Sequence, residues 1–274
     1  MNLVWGALVI IAVTAVAVTA MLLVRRSAPD GSYFADGDRA SGVFGVLAAG
    51  FSILLGFIIF LAFTSYDQSR VGAETEALVL VQQVETAQLF PADTANELTG
   101  EAICYGRSVV HDEWDQMRAG ALGDTVNPWG VEMFRTIEAL EPEAASEQSA
   151  YDKWLEQTSA REEARLDRVH GAVGVIPTPL WVALFFIAAV IFVYMLFFAD
   201  SGERAIVQAL LMGAVVSGFV TLLVLLNGLD NPFQGDVGGL DPVAMERSLG
   251  LIDTAMAAVD LQVQIPCDAE GVAT

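Results

Sequence analysis

The chain has 274 residues and a formal net charge of −21, and its mean hydropathy is +0.53. It is too apolar for an ordinary soluble domain, and its acidity argues against nucleic acid or anionic lipid as a partner. The apolar residues fall in four uncharged blocks, whereas residues 64–178 hold 21 acids against 8 bases. This composition predicts an integral membrane protein.

The first two predicted elements are membrane-spanning helices. Residues 3–24 are uncharged, and at about 1.5 Å per residue they can cross a hydrocarbon core of roughly 30 Å. The run is longer than a signal-peptide core and lacks an A-x-A cleavage site, so we expect a retained span. Arg25 and Arg26 follow it, and a short, turn-rich connection leads to a second uncharged run at residues 43–63. The short connection predicts antiparallel neighbours.

The second span is predicted to continue out of the bilayer as a helix, because no proline follows it before Pro91. The continuation has apolar residues near helical spacing at Leu78, Val81, Val84 and Leu89. Further helices are predicted over residues 92–119, 128–140 and 143–169. Together they predict an all-helical, acidic extramembrane domain packed on the extended second span.

Two more spans and a final helix complete the prediction. Residues 179–199 and 206–229 are uncharged and joined by a tight turn, so they predict a hairpin of helices, and a last helix is predicted over residues 242–259. The predicted fold is all-α: a four-helix integral membrane protein with a helical extramembrane domain between spans two and three. The predicted divisions are residues 1–63 (spans one and two), 64–178 (acidic domain), 179–229 (span hairpin) and 230–274 (acidic loop and C-terminal helix).

An apolar stripe on the second span is the first candidate site. Ala49, Ile53 and Phe57 fall at positions i, i+4 and i+8, on one face of the helix. Repeated around a symmetric oligomer, this stripe would form an apolar constriction that gates ions by dewetting. Contact with lipid or with a neighbouring helix is the alternative interpretation, because every face of this helix is apolar. The absence of charge in the span sequences disfavours a proton-coupled transporter.

The acidic loop after the fourth span is the second candidate site. Asp230, Asp236 and Asp241 supply the oxygen ligands that Ca²⁺ prefers. Their spacing does not match the twelve-residue helix–loop–helix calcium motif, and a solvated turn that caps the last helix is the alternative. No other cofactor is predicted.

The remaining reactive residues predict no catalysis. The segment from His111 to Asp115 points its titratable groups in several directions on a helix, which is typical of a polar helix face. The sequence has no phosphate-binding glycine loop, nucleophile elbow or HExxH motif, so an enzyme is not expected. Cys104 and Cys267 show no metal or redox spacing; a disulfide is geometrically permitted, but buried free thiols are the expectation.

Two segments resemble those of bestrophins. Leu55-Gly56-Phe57 lies within an apolar run like that of the bestrophin pore helix, and Leu229-Asp230-Asn231-Pro232-Phe233 is similar to the segment after the last bestrophin span. The order of two helices, a long helical domain and two more helices also matches. The chain looks most like the bacterial bestrophin-like membrane proteins.

The resemblance implies a pentameric anion channel embedded in the lipid bilayer of a bacterial inner (plasma) membrane, with inorganic anions as its ligands. The neck positions would be Ala49, Ile53 and Phe57. The clasp-like loop, which binds Ca²⁺ in animal members, would comprise Asp230, Asn231, Pro232, Phe233 and Asp236. Ser65-Tyr66-Asp67 departs from the basic, tryptophan-rich exit of the bestrophin pore helix.

The resemblance also places the large domain in the cytoplasm, whereas charge near the spans points weakly the other way. Four arginines lie in the two short loops (Arg25, Arg26, Arg39 and Arg204), against three that flank the long domain (Arg70, Arg165 and Arg168). This difference does not decide the orientation, so the expectation follows the resemblance.

Two functions compete. The first is an oligomeric anion channel with the second span as pore helix. The second is a non-conducting membrane scaffold or sensor whose acidic domain binds a partner protein. Substitution of Ile53 separates them, because only the channel depends on this residue for conduction.

Overall fold

The computed structural model describes residues 3–121, 126–235 and 238–274. Its helices are α1 (Leu3–Arg25), α2 (Gly37–Ala87), α3 (Ala92–Ser108), a π-helical turn (Val109–Glu113), α4 (Trp114–Arg118), α5 (Pro128–Glu138), α6 (Ala145–His170), α7 (Thr178–Leu196), α8 (Ala205–Asp230) and α9 (Val243–Ala258). Across these residues no β-strand forms, and one isolated bridge joins Cys267 to Ala273. The predicted all-α fold is therefore confirmed.

Four helices, α1, α2, α7 and α8, are long and apolar enough to cross a membrane. They form one compact unit from the residues up to Thr64 and Gly174–Asp230. Phe51 and Leu55 of α2 pack with Leu184 of α7 and Leu226 of α8. A second cluster fills the space between α1 and α8, and includes Ala17, Met21, Met212 and Val216. Each span thus buries a narrow apolar stripe, while most of its apolar surface remains exposed within the protomer.

The second compact unit comprises Ser65–Val173, Asn231–Gln234 and Gly239–Thr274. The part of α2 beyond Ser65 contributes Leu80 to its core, where Leu98, Trp114, Met133 and Trp154 are also buried. α5 begins at a strong start signal, because Pro128 occupies the first turn and the Asn127 side chain accepts a hydrogen bond from the Trp129 N–H. The predicted packing of the helical domain on the extended second span is confirmed.

Several predicted helix bounds differ from the structure, and two of these differences concern α3 and α7. The helix predicted over residues 92–119 is interrupted by the π-helical turn Val109–Glu113, which contains one more residue per hydrogen-bonded ring than an α-helix. The third span ends at Leu196 rather than residue 199. The Tyr33 N–H donates to the Phe197 carbonyl at 3.1 Å, so the connection after α1 binds one of the carbonyls that the ended helix leaves free.

The expectation of free thiols is wrong. Cys104 and Cys267 form a disulfide, with their Cα atoms 5.8 Å apart. The pair lies 163 residues apart in sequence, so no local spacing reveals it. The C-terminal segment folds back onto α3 and brings the two sulfurs together.

Candidate functional site

The membrane portion of α2 has one buried face and one exposed face. Phe51, Leu55, Ile58 and Ala62 are buried against α7 and α8. The opposite side, called here the outward face of α2, is formed by Ala49, Ile53 and Phe57. Ile53 is 70% exposed and Phe57 is 67% exposed. Because successive residues turn by about 100° around a helix, the outward face points away from the helices of its own protomer.

Four glycines of the same helix also meet open space. A Cβ atom added at any of them would find no heavy atom within 4 Å, and they are Gly42, Gly45, Gly50 and Gly56. Small residues in membrane helices allow the backbones of two helices to approach closely. Among the residues that the structure describes, no neighbour within the protomer uses this opportunity, so the backbone of α2 is accessible to a helix from outside.

The outward face can act on ions only by excluding water. Its side chains carry no charge and offer no hydrogen-bonding group, so they can neither coordinate an ion nor transfer a proton. An apolar face repeated around an axis can exclude water and thereby control the passage of ions. The three predicted neck residues therefore share one exposed face, which is the geometric condition that a neck requires.

The predicted clasp-like loop contributes to both compact units. In the first, Asp230 ends α8 and is buried; its Oδ1 accepts from the Ile176 N–H at 2.9 Å and its Oδ2 accepts from Trp181 Nε1 at 3.3 Å. In the second, the Phe233 ring packs on Trp114 with the ring centroids 5.5 Å apart, and the Pro232 carbonyl accepts from the Leu240 N–H at 2.8 Å.

The remaining residues of this loop show how its backbone turns. The Asn231 carbonyl accepts from the Gln234 N–H at 3.2 Å. Asp241 Oδ1 accepts from the Val243 N–H at 3.3 Å, at the start of α9. Asp236 lies outside the described residues. Within residues 3–121, 126–235 and 238–274, no group of three or more His, Cys, Asp or Glu side chains is arranged to hold a metal, and Ca²⁺ binding stays a prediction.

Sequence reasoning missed a buried ion network in the helical domain. Arg168 of α6 donates to both oxygens of Glu76 on α2 and, at 2.6 Å, to Glu113 Oε2. Arg165 Nε lies 3.2 Å from Glu113 Oε2, and Asn127 Nδ2 donates to Glu113 Oε1 at 2.9 Å. The side chains of Arg168 and Glu76 are wholly removed from solvent. One set of charges therefore joins α2, α6, the π-helical turn and the segment before α5.

The charges of this network hold each other ionised. Burial acts to raise the pKa of Glu113, but the guanidinium groups of Arg168 and Arg165 outweigh it and lower that pKa below its ordinary value. Burial acts to lower the pKa of Arg168, but Glu76 and Glu113 raise it above its ordinary value. Burial and the adjacent Glu76 charge raise the pKa of Tyr105, whose hydroxyl donates to Glu76 Oε1 at 2.6 Å.

The network explains why the prediction for residues 111–115 was incomplete. His111, Asp112 and Asp115 are exposed, as expected for a polar helix face, but Glu113 and Trp114 are buried. Both lie at the end of the π-helical turn, where the extra residue changes which positions face the core. The sequence feature that could have indicated a buried acid was the pair Arg165 and Arg168, which lie three residues apart on a polar helix. The network is fully paired and positions the helices.

Comparison with known proteins gives one family match by sequence and several matches among solved structures. The sequence model of the Bestrophin-like domain matches residues 9–238. Among solved structures, a crystal structure of a mutant bacterial bestrophin homolog from Klebsiella pneumoniae is 16% identical, with a TM-score of 0.68 over 89% of this chain and 98% of that one. A second mutant of a bestrophin homolog from Klebsiella pneumoniae is 14% identical, with a TM-score of 0.68 over 89% and 99%. No curated protein matches the sequence. At these identities, the solved structures establish a shared fold.

Proposed function

Because the chain belongs to the bestrophin-like family, we propose that it is a homo-oligomeric membrane channel for inorganic anions. The observation that carries this proposal is the outward face of α2, an exposed apolar stripe on a helix whose other side is buried in its own protomer. In a ring of subunits, this stripe from each copy would surround the axis. By the family resemblance, the ring has five subunits.

The open glycines of α2 support assembly with further copies. Gly42, Gly45, Gly50 and Gly56 leave the helix backbone uncovered within one protomer. Membrane helices associate through such small residues, since lipid provides no hydrophobic force that drives apolar side chains together. A second copy of the chain would cover this backbone and place neighbouring α2 helices side by side around the pore.

The proposed neck acts by dewetting. Ile53 and Phe57 would narrow the pore with bulky apolar side chains, while Ala49 would leave it wider by its smaller volume. Water leaves a narrow apolar constriction readily, and an ion then meets a barrier until the constriction widens or wets. No side chain of the outward face needs to bind the ion, so conduction requires only a change in neck width or hydration. The assignment to anions rests on the family alone.

Conductance of the full-length protein in planar bilayers tests the proposal. We predict that Phe57→Ala increases single-channel conductance or open probability, because it shortens the dry segment of the neck. Phe186→Ala is the matched control, since Phe186 of α7 has the same exposed fraction of 67% and lies on a different span. In a KCl gradient, the reversal potential should lie near the equilibrium potential of chloride.

Three results would count against this account. Assembled, folded protein that never conducts would leave the scaffold or sensor function as the better explanation. Equal effects of Phe57→Ala and Phe186→Ala would remove the neck assignment. A reversal potential near that of potassium would reject anions as the permeating class. We further propose the plasma membrane of a bacterium as the location, and no catalytic activity is proposed.

A further inference from the structure

The C-terminal segment of the chain is fastened to α3 by a buried disulfide. Cys104 of α3 is completely buried and Cys267 is 7% exposed. They are the two cysteines of the chain, and they pair with each other. Both partners belong to the second compact unit, so the bond forms within one folded body.

Several independent contacts hold the same segment in place. Trp129 Nε1 donates to the Gly271 carbonyl at 2.7 Å, and Arg107 Nη1 donates to the Asp268 carbonyl at 2.9 Å. Gly271 has a φ of +85°, and a Cβ atom there would lie 2.4 Å from the Ser108 nitrogen. The segment is therefore shaped to lie directly against α3, and its fold itself holds Cys267 next to Cys104.

A disulfide of this kind indicates an oxidising compartment. Cytosolic thiols are kept reduced, and structural disulfides form and persist mainly outside the cytoplasm. The burial of both cysteines shows that the bond belongs to the core rather than to an exposed, exchangeable site. The unit that contains it should accordingly fold on the extracytoplasmic side of the membrane.

The order of the spans determines which segments lie on the same side of the membrane, so the arginines on the two sides can be compared. Residues 65–173 and 239–274 are separated by two spans, α7 and α8, so they lie on the same side of the membrane. The two short loops lie on the other side. Four arginines lie in these loops or at the helix ends next to them: Arg25, Arg26, Arg39 and Arg204. Arginine in short loops marks the cytoplasmic side, whereas long domains cross largely regardless of their charge.

Three arginines flank the domain, one fewer than lie beside the short loops. Arg165 and Arg168 are paired with Glu113 and Glu76 in the buried network, and Arg70 pairs with Asp67 at 2.9 Å. Arg39 beside the first short loop is also paired, with Asp36 at 3.8 Å, so pairing does not distinguish the two groups of arginines. The disulfide therefore carries the inferred orientation, and the small excess of arginine beside the short loops agrees with it.

We propose that the acidic helical domain and the C-terminal segment lie on the extracytoplasmic side of the membrane, where the Cys104–Cys267 disulfide forms. This orientation is opposite to the one that the family resemblance implies. It does not depend on conduction: a scaffold with the same fold would have the same orientation. If the protein conducts, its acidic side faces the outside of the cell.

Labelling of single cysteines in intact cells tests the orientation. In the Cys104→Ser, Cys267→Ser background of the full chain, Ser149→Cys introduces a thiol on exposed α6, and Ser27→Cys introduces one in the first short loop. Bacterial spheroplasts that express each variant are treated with a membrane-impermeant maleimide before and after permeabilisation. We expect the Ser149→Cys variant to label fully in intact spheroplasts and the Ser27→Cys variant only after permeabilisation. The reverse pattern would overturn the proposal.

A second measurement uses the unaltered protein, so it does not depend on the variants folding. Cells are lysed in a denaturing buffer that contains an alkylating reagent, and the mass of the peptides that contain Cys104 and Cys267 is determined. We expect a disulfide-linked peptide pair that separates only after reduction. Alkylation of both thiols without prior reduction would overturn the oxidised assignment, whatever the conductance of the protein.

Discussion

Glu113 shows how much of the domain depends on single buried charges. It accepts hydrogen bonds from Arg168, Arg165 and Asn127, which compensate the cost of removing its carboxylate from water. Loss of one partner from a buried ion pair typically costs about 3–5 kcal/mol, whereas exposed pairs such as Arg135 with Glu132 contribute about 0–1 kcal/mol. The stability of the domain therefore rests on few of its many acidic residues.

Glu101 is a buried acid without an arginine partner. Its Oε1 accepts from Thr136 Oγ1 at 3.0 Å, and its Oε2 has no hydrogen-bond partner in the described part of the chain. Burial raises the pKa of Glu101 from 4.5 to about 7; the hydrogen bond from Thr136 opposes the rise, and the nearby Glu97 and Glu132 carboxylates add to it. The folded state thus keeps a proton that the unfolded chain releases at lower pH.

This proton makes stability depend on pH. Because the folded pKa is above the unfolded one, the free energy of unfolding should fall as pH rises from about 4.5 to about 7. We predict that Glu101→Gln is more stable than the unaltered protein at pH 8 by roughly 1 kcal/mol. Near pH 4.5 the two should unfold at similar temperatures.

Thermal unfolding of the full chain in detergent, followed by tryptophan fluorescence, measures this difference. Glu85→Gln serves as the control, since Glu85 is an exposed acid on α2, and its pH profile should run parallel to that of the unaltered protein. A stability difference between Glu101→Gln and the unaltered protein that is the same at both pH values would contradict the assignment.

At the scale of elements, α2 and α6 approach each other closely in the domain. Gly72 of α2 lies where a Cβ atom would be 2.5 Å from the Arg168 nitrogen and 2.7 Å from the Ala164 carbonyl oxygen. Both atoms belong to the backbone of α6, so no side-chain rotation can relieve the overlap. The same approach lets Ser69 Oγ donate to the Asp167 carbonyl at 3.1 Å and Arg168 reach Glu76.

We predict that Gly72→Ala lowers the stability of the domain by at least about 2 kcal/mol, because the two helices must separate. Alanine favours a helix over glycine by about 1 kcal/mol, so any loss of stability must come from lost packing between α2 and α6. Gly250→Ala is the matched control: Gly250 lies inside α9 and a Cβ atom there meets nothing within 4 Å. Thermal unfolding checks both variants, and equal stability of Gly72→Ala and the unaltered protein would refute the packing argument.

The sequence predicted the elements better than their contacts. Four uncharged runs specify spans because length and hydropathy suffice for a membrane helix. On the extension of α2, Val84 is buried as expected, but Leu78 is exposed, as is Leu89 just beyond the end of the helix. The buried face of the extension instead includes Glu76 and Leu80. A pattern of apolar residues cannot reveal a core that contains paired charges, because each charge is buried only through a partner distant in sequence.

The candidate sites show the same limit. Ile53 and Phe57 were found by spacing, since residues four apart share a helix face whatever surrounds them. The disulfide was not found, because its cysteines come together only when the C-terminal segment folds onto α3. Glu113 could be recognised as buried only after its neighbours had been placed in space. These neighbours are residues 65–87 of α2 and the α6 arginines Arg165 and Arg168.

At the scale of the whole molecule, the protein combines a membrane unit of four spans with an acidic helical unit that is internally cross-linked. The membrane unit leaves one apolar face of α2 uncovered, and the family to which the chain belongs gives that face a candidate role. Assembly and conduction are proposals that share α2, whereas the proposed orientation depends on other residues. The outward face of α2 connects assembly with conduction.

Electron cryomicroscopy of the full-length protein in lipid nanodiscs tests this connection most directly. We expect a closed ring of identical subunits in which Ala49, Ile53 and Phe57 of every α2 face the central axis. A single subunit in the nanodisc, or a ring in which this face of α2 contacts lipid, would contradict it.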